Sequence, residues 1–195
     1  RPAEIVFVVD VSGSFSDEIS SMIGGITPLL SDPITSGFKF GLVVIGMREP
    51  DRDPGSGYKH LVKVTDLVPR DDFLRHLQTI ETVHMPNSGG LEPSYDAVVG
   101  ICNGDISFSF SENSQKIIVL MTDEAGQSYI DPRNTEVDAA DAVRDGEFGI
   151  YVFSLQEHFN TFDQIVRDLG DLYSAASDPN TVFTQLQTMF DEICR

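Results

Sequence analysis

The chain has 195 residues, enough for one domain with a large apolar core, and its 41% hydrophobic and 23% charged residues describe a globular rather than a disordered protein. Thirty-one acidic residues stand against 13 basic ones, and the resulting net charge of −18 argues against nucleic acid and anionic membrane surfaces as partners. No run of apolar residues reaches the roughly 18 needed to span or insert into a membrane.

In chain order, Ile5-Val6-Phe7-Val8-Val9 is a continuous apolar run, the pattern of a strand covered on both faces, and it ends at Asp10. From Asp17 onward, Ile19, Met22, Ile23, Ile26 and Leu30 recur at helical spacing. Phe38 to Ile45 reads as a second strand. Lys59 to Thr65 reads as a third, after a Pro- and Gly-rich loop. Pro69 opens a helix with Phe73, Leu74, Leu77 and Ile80 on one side, and another helix covers Pro93 to Ile101. Ile117 to Met121 is a second wholly apolar strand, followed by Thr122-Asp123. A helix from Glu136 to Val143, a strand from Ile150 to Leu155, a helix from Phe162 to Leu169 and a short strand from Leu172 to Ala175 come next. A helix carrying Val182, Phe183, Leu186, Met189, Phe190 and Ile193 closes the chain.

This alternation predicts an α/β fold: a doubly wound, mostly parallel sheet of six strands with right-handed crossovers and helices on both faces. There is no internal repeat and no interior linker, so residues 1–195 are expected to form a single domain. Arg1-Pro2 leads within a few residues into an apolar strand, without a signal peptide, and the abrupt ends suggest a domain cut from a larger protein. Cys102 and Cys194 are either one disulfide or two inert thiols; spacing does not decide.

In an open parallel sheet, ligands bind at the carboxyl ends of the strands where strand order reverses. If the first and fourth strands flank that point, Asp10 and Asp123 face one crevice. After Asp10, oxygen-bearing side chains recur at every second position over Asp10, Ser12 and Ser14, and Gly13 lets the turn tighten. Carboxylate and hydroxyl oxygens are hard ligands, suited to Mg²⁺, Mn²⁺ or Ca²⁺ and poorly to copper or zinc. Two bland readings stand beside this one. The excess acid serves solubility, and the Ser and Asp residues merely cap the following helix. An EF-hand starting at Asp10 would need Gly and Glu where Phe15 and Ser21 stand, and an Asp-x-Asp phosphotransferase would need a carboxylate where Ser12 stands. No phosphate-binding glycine loop or nucleophile elbow is present, and His60, His76, His84 and His158 have no zinc-ligand spacing.

At these residues the chain resembles von Willebrand factor A domains, whose metal-ion-dependent adhesion site carries the pattern Asp10-x-Ser12-x-Ser14. Further matches resemble the integrin β-subunit I-like version: Asp17-Glu18, Gly57-Tyr58-Lys59-His60 with Thr65-Asp66, Glu92-Pro93-Ser94-Tyr95-Asp96-Ala97-Val98, Cys102 near a family cysteine, and Met121-Thr122-Asp123. The likeness is good from Ile5 to about Ala125 and thin beyond.

The resemblance implies that Asp10, Ser12, Ser14, Glu92 and Asp123 surround a central Mg²⁺ or Mn²⁺, some of them through water. Ser14, Asp17 and Glu18 would serve an adjacent Ca²⁺. Ordinary A domains use a Thr before a Gly in place of Glu92, a role open to Ser88-Gly89. Asn87 stands where a third family site needs it, but the family aspartate two residues on is Gly89 here. Asn87 and Ser88 join Asp10, Ser12 and Ser14 as expected ligand-binding residues. The family's disulfide-closed specificity loop is replaced by the shorter Arg48 to Gly57, without cysteine.

The implied function is cation-dependent adhesion to a protein ligand presenting an Asp or Glu carboxylate, at an extracellular or cell-surface location. A partner subunit or further domains of a parent chain would accompany it, and movement of the last helix, about Thr181 to Cys194, would act as a switch. A structural or assembly module that uses its cation for stability is the alternative. No enzymatic activity is expected, because every crevice residue is a ligand and none is left as a positioned base.

Overall fold

The computed structural model describes residues 2–48, 57–85, 89–175 and 178–194. Six strands form one sheet: β1 (Ala3–Asp10), β2 (Lys39–Ile45), β3 (Leu61–Pro69), β4 (Gln115–Met121), β5 (Phe148–Ser154) and β6 (Gly170–Ser174). Their spatial order is β3-β2-β1-β4-β5-β6, and all neighbours run parallel except β2 and β3. The expected doubly wound α/β architecture is therefore present, and strand order reverses between β1 and β4.

The central strand explains the layering. All eight residues of β1 are buried, and alternate side chains enter two separate cores. Ile5, Phe7 and Val9 pack with α1 (Ser16–Leu30), α2 (Arg70–Leu77) and α6 (Pro179–Ile193) through Ile19, Ile26, Phe73, Leu186 and Phe190. Val6 and Val8 pack with α3 (Ser94–Asn103), α4 (Glu136–Asp145) and α5 (Asp163–Val166) through Val98, Ile101, Val143 and Ile165.

Three sequence expectations change in detail. The third strand begins at Leu61 and runs on to Pro69, so α2 starts one residue later than Pro69 and ends at Leu77. Ile80 still reaches the core, from a π-helical turn over Ile80–His84. The helix expected over Phe162 to Leu169 is only Asp163–Val166, because Arg167 is extended and Asp168 takes a positive φ of 65°, which stops helical propagation. It is preceded by a 3-10 segment, Gln156–Thr161, that shows no helical apolar period.

Cys102 and Cys194 are both free thiols. The reason is layering: Cys102 ends α3 and packs into the core on that face of the sheet, while Cys194 follows α6 on the other. The disulfide alternative is thereby overturned.

Candidate metal centre

Parallel pairing puts the ends of β1 and β4 side by side, since Val9 registers with Met121. The next residues, Asp10 and Thr122, therefore meet. Thr122 Oγ1 donates to Asp10 Oδ2 at 2.7 Å, and Ser12 N donates to Asp10 Oδ1 at 2.7 Å. Both oxygens of a wholly buried carboxylate are thus held in a fixed orientation.

β2 closes the other side. Asp10 registers with Ile45, Val11 N donates to Ile45 O at 2.9 Å, and the chain then turns at Gly46 with a φ of +80°. A Cβ at Gly46 would lie 2.9 Å from Asp10 Oδ1 and 3.0 Å from Ser12 N, so glycine is required both for the turn and for the close approach. Gly46 O in turn accepts from Gly89 N at 2.6 Å, which draws the segment leading to Glu92 against the centre.

The hydroxyls continue the line of oxygens. Ser12 Oγ and Ser14 Oγ lie 3.0 Å apart, and Ser14 Oγ donates to Asp123 Oδ1 at 3.3 Å. The helix-cap explanation fails here. Phe15 occupies the cap position of α1, and no side chain caps that helix. The two serines are turned across the crevice toward β4 instead.

Glu92 is 2% exposed. Burial, then the neighbouring charges of Asp10, Glu124 and Asp123, pushes its carboxyl up to about 8. Burial also pushes Asp10 up to about 7, against the lowering hydrogen bonds from Thr122 and Ser12 and with the Asp123 charge adding to the rise. Among the described residues no Lys, Arg or His makes an ion pair with any of these four carboxylates. Carboxyl oxygens are gathered into low dielectric without an ion-paired cation among the described residues, which is why Asp10 and Glu92 resist ionisation.

Asp10, Ser12, Ser14, Glu92 and Asp123 fit a hard divalent cation by donor chemistry. Among the described residues no three carboxylate, imidazole or thiol groups converge tightly enough to hold a metal by themselves, so hydroxyl and water oxygens have to complete the set. Asp17 and Glu18 lie on the first turn of α1; Asp17 is exposed, while Glu18 keeps one carboxylate oxygen buried without a hydrogen-bond partner. Asn87, Ser88 and most of the Arg48 to Gly57 loop lie outside the described residues.

Sequence reasoning missed Thr122, Gly46 and Glu124 as members of the centre. Thr122 carried a signal, a hydroxyl between an apolar strand and an acid. A cavity of about 780 Å³ lies at the opposite end of the sheet, lined by the starts of β4 and β5, away from this chemistry.

No family profile and no curated protein matches the chain. Solved structures do. Proximal thread matrix protein 1 from the mussel byssus superposes with a TM-score of 0.73 at 17% identity, over 99% of this chain and 48% of that one. The same mussel protein with a zinc-occupied MIDAS motif gives 0.72 at 16%, over 99% and 48%. The pilus adhesin SpaC from Lactobacillus rhamnosus GG gives 0.67 at 15%, over 99% and 30%. The chain spans about half the length of the mussel protein and under a third of the adhesin. The fold is of the von Willebrand A type.

Proposed function

We propose that this domain binds a divalent cation, Mg²⁺ or Mn²⁺, at the Asp10 centre and through it captures an Asp or Glu carboxylate of a protein ligand. The observation that carries the reading is the burial of Asp10 and Glu92 beside Asp123 with no ion-paired cation among the described residues to offset them. Asp10, Ser12, Ser14, Glu92 and Asp123 hold the ion, directly or through water. When bound, the cation supplies the positive charge that balances these groups and attracts a further anion from outside.

The protein's own part is positional. Thr122 and Ser12 N orient Asp10, the Gly46 turn keeps the oxygen cage tight, and the neutral serine hydroxyls add ligands without adding negative charge. Glu18, with its orphaned carboxylate oxygen, and Asp17 hold an adjacent Ca²⁺. The role is adhesion rather than catalysis, at an extracellular or cell-surface location. Two neighbours support it: the mussel thread protein with its zinc-occupied MIDAS motif, and the pilus adhesin. Among the described residues no helix is long and apolar enough to cross a membrane.

Calorimetric titration of Mg²⁺, Mn²⁺ and Ca²⁺ into the metal-stripped domain tests this, beside Asp10→Ala and Asp17→Ala. Saturable binding lost in Asp10→Ala, with a separate Ca²⁺ event lost in Asp17→Ala, is expected. Binding indifferent to Asp10, or none in the parent domain, refutes the reading.

A further inference from the structure

A cleft of about 440 Å³ lined by Tyr95, Gln127, Tyr129, Arg133, Asn134 and Glu136 opens beside the candidate centre. It is braced from within. Asp96, wholly buried on α3, accepts from Ser128 Oγ at 2.5 Å, Tyr129 N at 2.7 Å and Asn134 Nδ2 at 2.8 Å, so one carboxylate gathers the 128–134 turn. Tyr95 O–H donates to Thr161 O at 2.7 Å, and Gly126 N donates to Thr161 Oγ1 at 2.9 Å.

The cleft shares a wall with the centre. Gln127 N donates to Ser94 Oγ at 3.2 Å, two residues from Glu92, and Ser94 N donates to Glu92 O at 2.8 Å. The Tyr129 ring packs edge-on to His60 at 5.7 Å, and His60 Nδ1 lies 3.3 Å from Met47 O, beside the Gly46 turn. The charges of Glu92 and Glu124 are both felt at the Tyr129 hydroxyl.

The cleft carries a positive group that is not neutralised by an ion pair among the described residues. Lys39, Lys63, Arg70, Arg75 and Arg144 are each paired with a carboxylate. Arg133 is exposed and, among the described residues, makes no ion pair. Its backbone is fixed by its neighbour Asn134, whose side chain is tied to Asp96. The one acid in the lining, Glu136, has Oε1 occupied by Gln164 N at 2.9 Å. Tyr129 O–H donates to Gln127 Oε1, which leaves the Gln127 amide nitrogen as a further donor.

We propose that Arg133 and this cleft receive a second acidic side chain of the same ligand, so that the domain selects peptides carrying two carboxylates close together. The inference rests on cation-dependent carboxylate capture at the Asp10 centre. A domain of charge −18 repels acidic peptides. A diacidic ligand is favoured only where two positive groups stand near each other; the Tyr129 hydroxyl feels the charges of both Glu92 and Arg133, so a cation held at the centre would form such a pair with Arg133. The guanidinium also matches a carboxylate in two-pronged geometry, which lysine does not.

The test titrates the Mg²⁺-loaded domain with blocked peptides, one containing a single Glu between glycines and a series containing two Glu separated by zero to three glycines, read by NMR shifts. At one or more spacings the diacidic peptide is expected to bind about fivefold more tightly than the monoacidic one, the upper range for an exposed ion pair. Arg133→Ala removes that preference while leaving monoacidic binding unchanged. Arg133→Glu shifts preference toward a peptide in which Lys replaces the second Glu. Equal binding of mono- and diacidic peptides, or an equal loss of both in Arg133→Ala, overturns the proposal while leaving cation-dependent capture standing. Absence of Mg²⁺-dependent binding for either peptide overturns both together.

Discussion

Thr122→Val is the sharpest probe of the candidate centre, because the substitution keeps shape and volume and deletes one hydroxyl. In the native domain that hydroxyl donates to Asp10 Oδ2 at 2.7 Å in a fully buried setting and accepts from Glu124 N at 3.2 Å. A hydrogen bond to a buried carboxylate contributes about 1.5–3 kcal/mol, and one to a neutral carboxyl about 1 kcal/mol. Asp10, raised to about 7, is ionised well above neutrality and neutral at mildly acidic pH. The variant should therefore lose about 2 kcal/mol of stability near pH 8.5 and about 1 kcal/mol near pH 5, in the absence of metal. The difference corresponds to a further rise of roughly 0.7 in the Asp10 pKa. Cation affinity should fall about tenfold, the usual cost of losing a group that orients a ligand. Urea unfolding in chelator at the two pH values, with a calorimetric Mg²⁺ titration, reads all of this. Matching unfolding midpoints and unchanged Mg²⁺ affinity would show that Thr122 does not position Asp10.

Gly46→Ala should destabilise the domain by more than about 1 kcal/mol and weaken the cation site, since the new Cβ is strained at a φ of +80° and lies 2.9 Å from Asp10 Oδ1; thermal melts with and without Mg²⁺ check it. The pH response follows from two raised carboxyls. Both favour the protonated folded state, so their contribution is intact below the unfolded values near 4 and is lost as pH rises through about 7 for Asp10 and about 8 for Glu92. Metal-free stability should accordingly decline from about pH 5 to about pH 8.5, and added Mg²⁺ should raise the melting temperature more at the higher pH, where no protons must be displaced. A pH-independent shift would contradict this. Native thiol labelling should modify exposed Cys194 and spare Cys102, whose thiol burial pushes up to about 12, and both should label in denaturant without reductant.

Much of the fold is legible because β1 and β4 carry continuous apolar runs, Ile5 to Val9 and Ile117 to Met121, each followed within two residues by an aspartate, a pattern that sets both strand type and crevice position. Asp10, Ser12, Ser14 and Asp123 follow from that pattern, and Glu92 from a resemblance. Gly46 is not legible as a site member, and Thr122 shows only as a hydroxyl between an apolar strand and an acid. Their roles depend on the neighbours of β1, and strand order is not written in apolar periodicity. Glu124 carries no motif signal, and its place in the centre follows only from the effect of its charge on Glu92. The α5 boundary failed because a positive φ at Asp168 carries no compositional mark. The cysteine pairing stays open in the sequence because α3 and α6 both have apolar faces, and nothing in either says which side of the sheet it will cover.

The strand order carries a consequence for synthesis. β1, the first of these six strands in chain order, lies at the middle of the sheet, and its Asp10 is oriented by a residue 112 positions later. During translation the opening strand can pair with β2 early, but its other edge stays open until β4 leaves the ribosome. An oxygen cage drawn from three distant segments therefore closes only after the chain has been made past Asp123. A nascent fragment ending before Thr122 should bind no cation with native affinity, which makes cation uptake a timer for completion of the central sheet.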